Sequence, residues 1–350
     1  MSFQDKLRKV EPYQAGEQPK IANLIKLNTN ENPYGPGDKV LQAIQKFDSE
    51  TLKLYPDPDA QDLRHSIAMY HGLEDNQVFL GNGSDEVLAL TFLTCFNGEA
   101  PVLFPDISYS FYPVYCELYH MNYQRIALND DFDIIKEDYY QENSGIIFPN
   151  PNAPTGIMVS LDFIRDILNH NPDSVVVVDE AYIDFGGISA IPLIKEFPNL
   201  LIVQTFSKFR GLAGIRLGAA LGNKEIISKL YDVKNSFNSY PLDRLAQVIG
   251  QASIEDSDYI KANAKKVIET REYTKQALKQ LGFTMPDSYA NFIFIKHPHY
   301  NAKELFMKLR EKGILVRHFD KPRINQYLRV TIGTQEEMEI FIKTTKEILV

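Results

Sequence analysis

The run Ser207-Lys208-Phe209-Arg210-Gly211-Leu212-Ala213-Gly214-Ile215-Arg216 puts an amine, two glycines and a guanidinium directly behind the apolar run Leu200-Leu201-Ile202-Val203. An amine at the end of a buried strand can condense with an aldehyde. A second apolar run, Val175 to Val178, is closed by Asp179. If the two strands are neighbours, Lys208 and Asp179 open into one crevice. There the carboxylate can pair with a protonated pyridine nitrogen while the lysine forms an imine, which is the pairing that pyridoxal phosphate requires. Alone, Asp179 reads as a helix cap or surface carboxylate and Lys208 as a solvated lysine. Their conjunction is what favours chemistry.

A dianionic phosphate asks for backbone N–H groups at a helix start, hydroxyls and a cation. Gly81-Asn82-Gly83-Ser84-Asp85-Glu86 supplies the first two, with glycines that let the backbone approach closely and with Ser84 and Asp85 opening a helix. Taken alone this run is also ordinary turn sequence. Ser207 adds a second hydroxyl and Arg216 a fixed positive charge, although an arginine paired with a surface carboxylate is the bland alternative. No Walker-type GxxxxGK[ST], dinucleotide fingerprint, GxSxG, HExxH or EF-hand loop occurs, so ATP and NAD are poor candidates. The seven histidines show no paired ligand spacing, and no metal is expected.

These residues must be held by something, and the pattern of short apolar runs says what. Val78-Phe79-Leu80, Val102-Leu103-Phe104, Ile146-Ile147-Phe148 and Val175–Val178 each end at polar, Gly or Pro residues, commonly before a segment of helical periodicity. That alternation predicts an α/β fold with a largely parallel sheet, whose ligands collect beyond the carboxyl ends of the strands. After about Asp243 the texture changes to long charged helical stretches such as Tyr259 to Leu281, followed by strand-like runs at 291–295, 313–316 and 327–332. The expected division is an N-terminal segment 1–38 running irregularly over the surface to join the second lobe or a neighbouring subunit, a large cofactor-binding domain 39–243, and a small α+β domain 244–350.

Composition narrows the class. The 350 residues are 44% hydrophobic and 24% charged, enough for two lobes around a sizeable core. A formal net charge of −9 leaves no electrostatic footprint for nucleic acid. Cys95 and Cys116 sit in apolar or aromatic surroundings without a CxxC, and read as core thiols. The start Met1-Ser2-Phe3-Gln4-Asp5-Lys6 lacks an apolar signal core, and no run approaches the ~20 residues of a membrane helix, so the expected location is the reducing cytoplasm.

Ordered along nearly the whole chain are Asn28-Thr29-Asn30-Glu31-Asn32-Pro33-Tyr34-Gly35, Leu54-Tyr55-Pro56-Asp57-Pro58, the Gly81 to Glu86 run, Asn150-Pro151-Asn152-Ala153-Pro154-Thr155-Gly156, Val178-Asp179-Glu180-Ala181-Tyr182, the Ser207 to Arg216 run, and Leu328-Arg329-Val330-Thr331-Ile332-Gly333. With these motifs the chain resembles the fold-type I, pyridoxal-phosphate-dependent aminotransferases of class II, and within them the histidinol-phosphate branch. The resemblance implies a mostly parallel, seven-stranded-type sheet flanked by helices, with a smaller α+β domain. It makes Lys208 the Schiff-base lysine and the proton carrier, and it pairs Asp179 with the pyridinium. Asn152 and Tyr182 hydrogen-bond the ring oxygen, Tyr109 stacks on the ring, and Ser84, Asp85, Ser207 and Arg216 surround the phosphate. Tyr55 reaches that phosphate from the other subunit of a homodimer.

For substrate, the resemblance implies histidinol phosphate as amino donor and 2-oxoglutarate as acceptor, giving imidazole acetol phosphate and glutamate in histidine biosynthesis. Arg317 and Arg329 match the family's anion-binding arginines, suited to phosphate and carboxylate alike. Tyr13, Asn30 and Tyr240 sit where the family contacts substrate, and Arg323 is an additional cation without a counterpart. Two stretches depart from the pattern. Gly218-Ala219-Ala220 stands where many relatives carry an aromatic, and the Pro105-Asp106-Ile107-Ser108-Tyr109 loop has altered spacing that leaves Tyr112 as the alternative stacking residue. A broader aromatic aminotransferase and a phosphothreonine-type decarboxylase share the scaffold and stay open. A non-catalytic regulator would need a DNA-binding module ahead of Asn28, for which there is no room.

Overall fold

The computed structural model describes residues 2–20 and 23–350. Met1, Ile21 and Ala22, part of the segment assigned 1–38, lie outside the described residues. After the two-residue strand β1 (Ile25–Lys26), the apolar runs become β2 (Val78–Asn82), β3 (Val102–Pro105), β4 (Tyr123–Ile126), β5 (Gly145–Pro149), β6 (Val176–Asp179), β7 (Leu200–Thr205) and β8 (Leu217–Gly222). They form one seven-stranded sheet in the order β2-β8-β7-β6-β5-β3-β4. Only β8 is antiparallel to its neighbours, so β2, β3, β5, β6 and β7 deliver their C-terminal ends to one edge.

Unbroken apolar runs without alternation belong to strands covered on both faces. Val176 and Val178 enter one core with Leu63, Ile164 and Ile249, whereas Val177 enters the opposite core with Phe92 and Tyr112. The first face is covered by α1 (Asp38–Lys46), α2 (Gln61–His71), α5 (Leu161–His170) and α7 (Arg244–Glu255); the second by α3 (Gly83–Cys95), α4 (Tyr112–Tyr119) and α6 (Lys224–Phe237). Each fully buried valine contributes about 1.5–3 kcal/mol. Cys95 and Cys116 pack beside this second face, and burial pushes both thiols up to about 12.

The second lobe is a three-stranded antiparallel sheet in the order β11-β12-β9, made of β9 (Phe292–Ile295), β11 (Arg317–His318) and β12 (Leu328–Thr331). Strand β10 (Ile314–Leu315) pairs with β1 in parallel. Helices α8 (Ser257–Gln280), α9 (Ala302–Glu311) and α10 (Gln335–Leu349) contribute Val267, Leu309 and Phe341 to its core. Helix α10 opens on a capping box of Thr334 and Glu337.

Two sequence expectations shift. Helix α7 follows the boundary drawn at 243, yet Ile249 and Ala252 lie in the large-sheet core, and we propose to divide the lobes after Asp256. The N-terminal segment pairs through β1 with β10, and beyond Lys26 it leaves the surface: Leu27, Asn28 and Asn30 are buried. The β1–β10 pairing draws it inward. No helix among the described residues is long and apolar enough to cross a membrane.

Candidate active site

Between the two lobes, at the C-terminal edge of the large sheet, lies a cavity of about 640 Å³. Strand order explains its floor. Strands β6 and β7 are hydrogen-bonded neighbours with Asp179 in register with Val203, so Asp179 and the Ser207-Lys208 turn emerge side by side. Ser84 and Asp85 enter from the start of α3, Tyr109 from the loop after β3, Arg216 from the turn before β8, and Arg317 and Arg329 from the second lobe.

Gly83 and Gly218 make the phosphate end possible. Gly83 has φ +78°, and a Cβ there would meet Arg216 Nη2 at 2.5 Å; a Cβ on Gly218 would meet the Ser84 amide nitrogen at 2.5 Å. The small residues of β8 thus let the N-terminus of α3 lie against the sheet, which gives a physical reason for the Gly218-Ala219-Ala220 departure. Ser84 and Ser207 hydroxyls, the start of α3 and the Arg216 guanidinium face one end of the cavity, a donor set that fits a phosphate. Arg216 places Nη2 2.9 Å from Asp85 Oδ2, and its Nη1 lies 3.5 Å from Ser207 Oγ.

Asp179 is 4% exposed; its Oδ2 accepts from the Tyr112 hydroxyl at 2.9 Å and its Oδ1 from the Ala181 amide at 3.2 Å. Burial pushes its pKa up to about 6 against the pull of these donors. Lys208 Nζ donates to the Thr29 carbonyl at 3.1 Å, and burial, aided by the Arg329 charge, brings its pKa down to about 8. An amine held near neutrality and a desolvated carboxylate suit imine chemistry and a pyridinium partner, respectively. Tyr109 donates to Asp85 Oδ1 at 2.8 Å and lines the cavity, while Tyr112 is fully buried behind it and serves Asp179.

Tyr182 also lines the cavity; its hydroxyl accepts from Asn30 Nδ2 at 2.9 Å, and burial raises its pKa. Asn30, at φ +58°, is held in turn by Thr331, whose hydroxyl donates to Asn30 Oδ1 at 3.0 Å. Asn152 lies behind the wall, its amide group donating to the Ile107 carbonyl at 3.0 Å, and its buried Oδ1 has no partner in the protein. A buried acceptor left open next in sequence to the cavity-lining Ala153 fits a ligand group that donates a hydrogen bond. Tyr13 stacks on Phe111 with centroids 4.4 Å apart at the rim.

Arg329 donates from Nη2 to the Asn28 carbonyl at 3.0 Å, leaves its buried Nε unpartnered, and stands beside Arg317 at the small-lobe wall. Tyr240 and Arg323 lie outside this cavity, as does Tyr55, which is expected in the cavity of the other subunit. Tyr55 and Tyr240 stack on each other with centroids 4.7 Å apart, 77% and 43% exposed, and neither lines the cavity of its own chain. Arg323 binds Asp106 at 3.0 Å and the carbonyls of Leu128 and Asn129, a clip between loops. Among the described residues no group of metal-ligating side chains assembles.

The sequence reading missed the carbonyls of Asn28 and Thr29, the Tyr112 bond to Asp179, and Glu31, which also faces the cavity. The run Asn28–Gly35 was the available signal, since four of its residues reach the site.

Comparison with known proteins bears on this geometry. The family described as aminotransferase class I and II matches residues 22–344. The chain is 56% identical over 349 residues to the histidinol-phosphate aminotransferase of Lactococcus lactis subsp. cremoris (strain SK11), covering 100% of this chain and 98% of that one. It is 54% identical to that of Pseudomonas syringae pv. syringae (strain B728a), covering 95% of each. In fold it is similar to the crystal structure of histidinol-phosphate aminotransferase from Sinorhizobium meliloti in complex with pyridoxal-5'-phosphate, with a TM-score of 0.84 at 22% identity over 93% of this chain and 90% of that one.

Proposed function

The chain belongs to the class I and II aminotransferases, and from that premise we propose that it transfers the amino group of L-histidinol phosphate to 2-oxoglutarate, yielding imidazole acetol phosphate and glutamate as a step of histidine biosynthesis. The observation that carries the substrate assignment is full-length identity of 56% to a histidinol-phosphate aminotransferase, combined with two guanidinium groups on the small-lobe wall.

Pyridoxal phosphate, when bound, supplies the electron sink that makes the donor's α-hydrogen acidic. Ser84, Ser207, Arg216 and the start of α3 would hold its phosphate, Asp179 would keep its ring nitrogen protonated, Tyr109 would pack against the ring, and Tyr182 and Asn152 would bind the ring oxygen. Lys208 Nζ would anchor it and, once freed, would take the proton from the substrate α-carbon and deliver it to the cofactor's imine carbon. Arg329 and Arg317 bind the phosphate of the donor or the distal carboxylate of the acceptor, since a planar guanidinium matches both. Tyr13 and Asn30 close the pocket. Lys208 starts near neutrality, so little free energy is lost in baring the amine.

The exposed pair Tyr55 and Tyr240 fits a homodimer in which each reaches the other subunit's cavity. The surrounding apolar surface supports this: Leu52, Leu54 and Phe237 are 62%, 57% and 76% exposed. Cytoplasmic location agrees with two raised, unpaired thiols.

The test is a donor panel with 2-oxoglutarate: histidinol phosphate, phenylalanine, tyrosine and phosphothreonine, with glutamate and carbon dioxide followed separately. Glutamate from histidinol phosphate with kcat/KM well above the aromatic donors is the expected result. Carbon dioxide from phosphothreonine, or glutamate from the aromatics alone, defeats the assignment.

A further inference from the structure

Lys208 is gripped at both ends by one short segment that precedes it by about 180 positions. At the main chain, Asn32 Nδ2 donates to the carbonyls of Lys208 and Phe209, each at 3.0 Å, while Asn32 Oδ1 accepts from the Tyr34 amide at 3.0 Å. At the side-chain tip, Lys208 Nζ donates to the Thr29 carbonyl at 3.1 Å. The approach is close enough to dictate a glycine opposite: Gly211 has φ +65°, and a Cβ there would stand 2.7 Å from the Tyr34 carbonyl oxygen.

The segment is itself anchored. Thr29 Oγ1 donates to Glu31 Oε2 at 2.7 Å and accepts from Lys26 Nζ at 2.6 Å, and Lys26 pairs with Glu31. Its remaining contacts fall on Tyr182 through Asn30 and on Arg329 through the Asn28 carbonyl. A segment needed only to tie the lobes together has no reason to place a bare carbonyl on a lysine amine inside a cavity.

We propose that residues 28–34 form a strap that positions Lys208. Asn32 fixes the main chain of the lysine, and the Thr29 carbonyl receives its ammonium whenever the amine is not bonded to cofactor. When the freed amine takes the proton from the substrate α-carbon it becomes an ammonium, and Thr29 accepts one of its three N–H donors. The electron pair of the broken C–H bond stays with the substrate and cofactor, and the proton leaves again when the lysine protonates the product side. Glu31 and Lys26 act through Thr29 and hold the strap in place. The proposal rests on Lys208 being the cofactor's lysine.

The experiment measures acetylation of Lys208 by acetic anhydride in the cofactor-free protein at about pH 6.5, where the amine is mostly protonated, quantified by peptide mass spectrometry, alongside kcat and KM of the holoenzyme. The variants are Asn32→Ala, Asn32→Leu, which keeps the shape without charge but removes the donor, and Thr29→Val, which keeps the carbonyl but removes its anchor. Releasing the ammonium lowers the pKa of the amine, so labelling is expected to rise about threefold, the size of a half-unit fall. The kcat is expected to fall about tenfold with KM nearly unchanged. Labelling at the wild-type rate in any folded variant overturns the proposal, including one in which only thermal stability moves. Should the Asn32 variants fail to fold, Thr29→Val decides alone. Labelling needs no substrate, so it separates failure of the strap from failure of the histidinol phosphate assignment.

Discussion

The Tyr112 hydroxyl donates to Asp179 Oδ2 across 2.9 Å, inside the large-sheet core. The pair joins α4 to the end of β6, and with the Ala181 amide it places only neutral donors on a carboxylate that burial would rather see protonated. In the cofactor-free protein this site is therefore a stability liability, one that a pyridinium held as proposed would remove.

That liability has a pH signature. The carboxyl of Asp179 rises from an ordinary 3.8 to about 6 on folding, so the folded state holds its proton more tightly. The stabilising contribution is fully present below about 3.8 and is lost as pH rises through about 6. Asp179→Asn makes the group permanently neutral. Cofactor-free Asp179→Asn is expected to be more stable than wild type at pH 8 by up to about 3 kcal/mol, a margin that shrinks to near zero by pH 4. Denaturant unfolding at both pH values checks this, and an equal difference at pH 8 and pH 4 refutes it.

Lys208 should titrate far below a surface lysine. Its amine falls from 10.5 to about 8 through burial first and the Arg329 charge second. Labelling of Lys208 in cofactor-free protein is expected to be half-maximal near pH 8, and Arg329→Ala is expected to shift that midpoint upward because it removes a repelling cation. Lys208→Ala is expected to bind cofactor without a covalent link and to show no turnover. Retained activity in that variant would mean another group carries the proton.

Gly83→Ala probes the phosphate end. The substitution forces a Cβ into φ +78° and against Arg216 Nη2 at 2.5 Å. Backbone strain of about 1–3 kcal/mol and a displaced guanidinium are expected, with cofactor affinity lowered about tenfold or more. Absorbance titration with pyridoxal phosphate measures it, and unchanged affinity would show that Arg216 swings aside freely.

Side chains announced themselves in the sequence where they stood at strand ends. Lys208, Asp179 and Ser84 each follow an apolar run, and parallel pairing of β6 with β7 brings the first two together. Contacts made by backbone groups left no such mark: the carbonyls of Asn28 and Thr29 belong to no residue type, and only the strap's path into the interior exposes them. Tyr112 was legible as an aromatic near the loop after β3, but its one-turn offset from Tyr109 sends it under the sheet edge to Asp179. The packing of Ile249 and Ala252 on the large sheet was not legible, because the amphipathic pattern of α7 says that it packs and not on which lobe.

Arg329 and Arg317 should separate in their effects. Arg329 is enclosed by Phe292 and Phe319 with its Nε unpartnered, whereas Arg317 lies at the rim over Phe319. Truncating a desolvated cation that meets a charged ligand costs about 2–5 kcal/mol. Arg329→Ala is therefore expected to raise KM for histidinol phosphate and 2-oxoglutarate about 100-fold, with Arg317→Ala nearer tenfold. Steady-state kinetics on both substrates decides. Normal KM values with lowered melting temperature would assign these arginines to structure.

Tyr55 offers the sharpest test of the proposed homodimer. Its segment is clamped from below, with Arg244 donating to the carbonyls of Leu54 and Tyr55 at 3.1 and 2.5 Å, Gln247 to that of Asp57 at 2.9 Å, and the buried Lys234 to that of Pro58 at 2.8 Å. A tyrosine left 77% exposed on so fixed a backbone fits insertion into a second copy. Tyr55→Ala and Lys208→Ala are each expected to be deeply impaired, the first through cofactor affinity and the second through chemistry. In a hybrid carrying one change per subunit, the cavity of the Tyr55→Ala subunit keeps its own Lys208 and receives the intact Tyr55 of its partner, while the other cavity carries both defects. One cavity is then whole, so mixing the two inactive variants is expected to restore activity. If Tyr55 served its own chain's cavity instead, each cavity of the hybrid would carry one defect, and mixing would restore nothing. Sedimentation confirms that hybrids form, and absence of activity in them excludes the cross-subunit role.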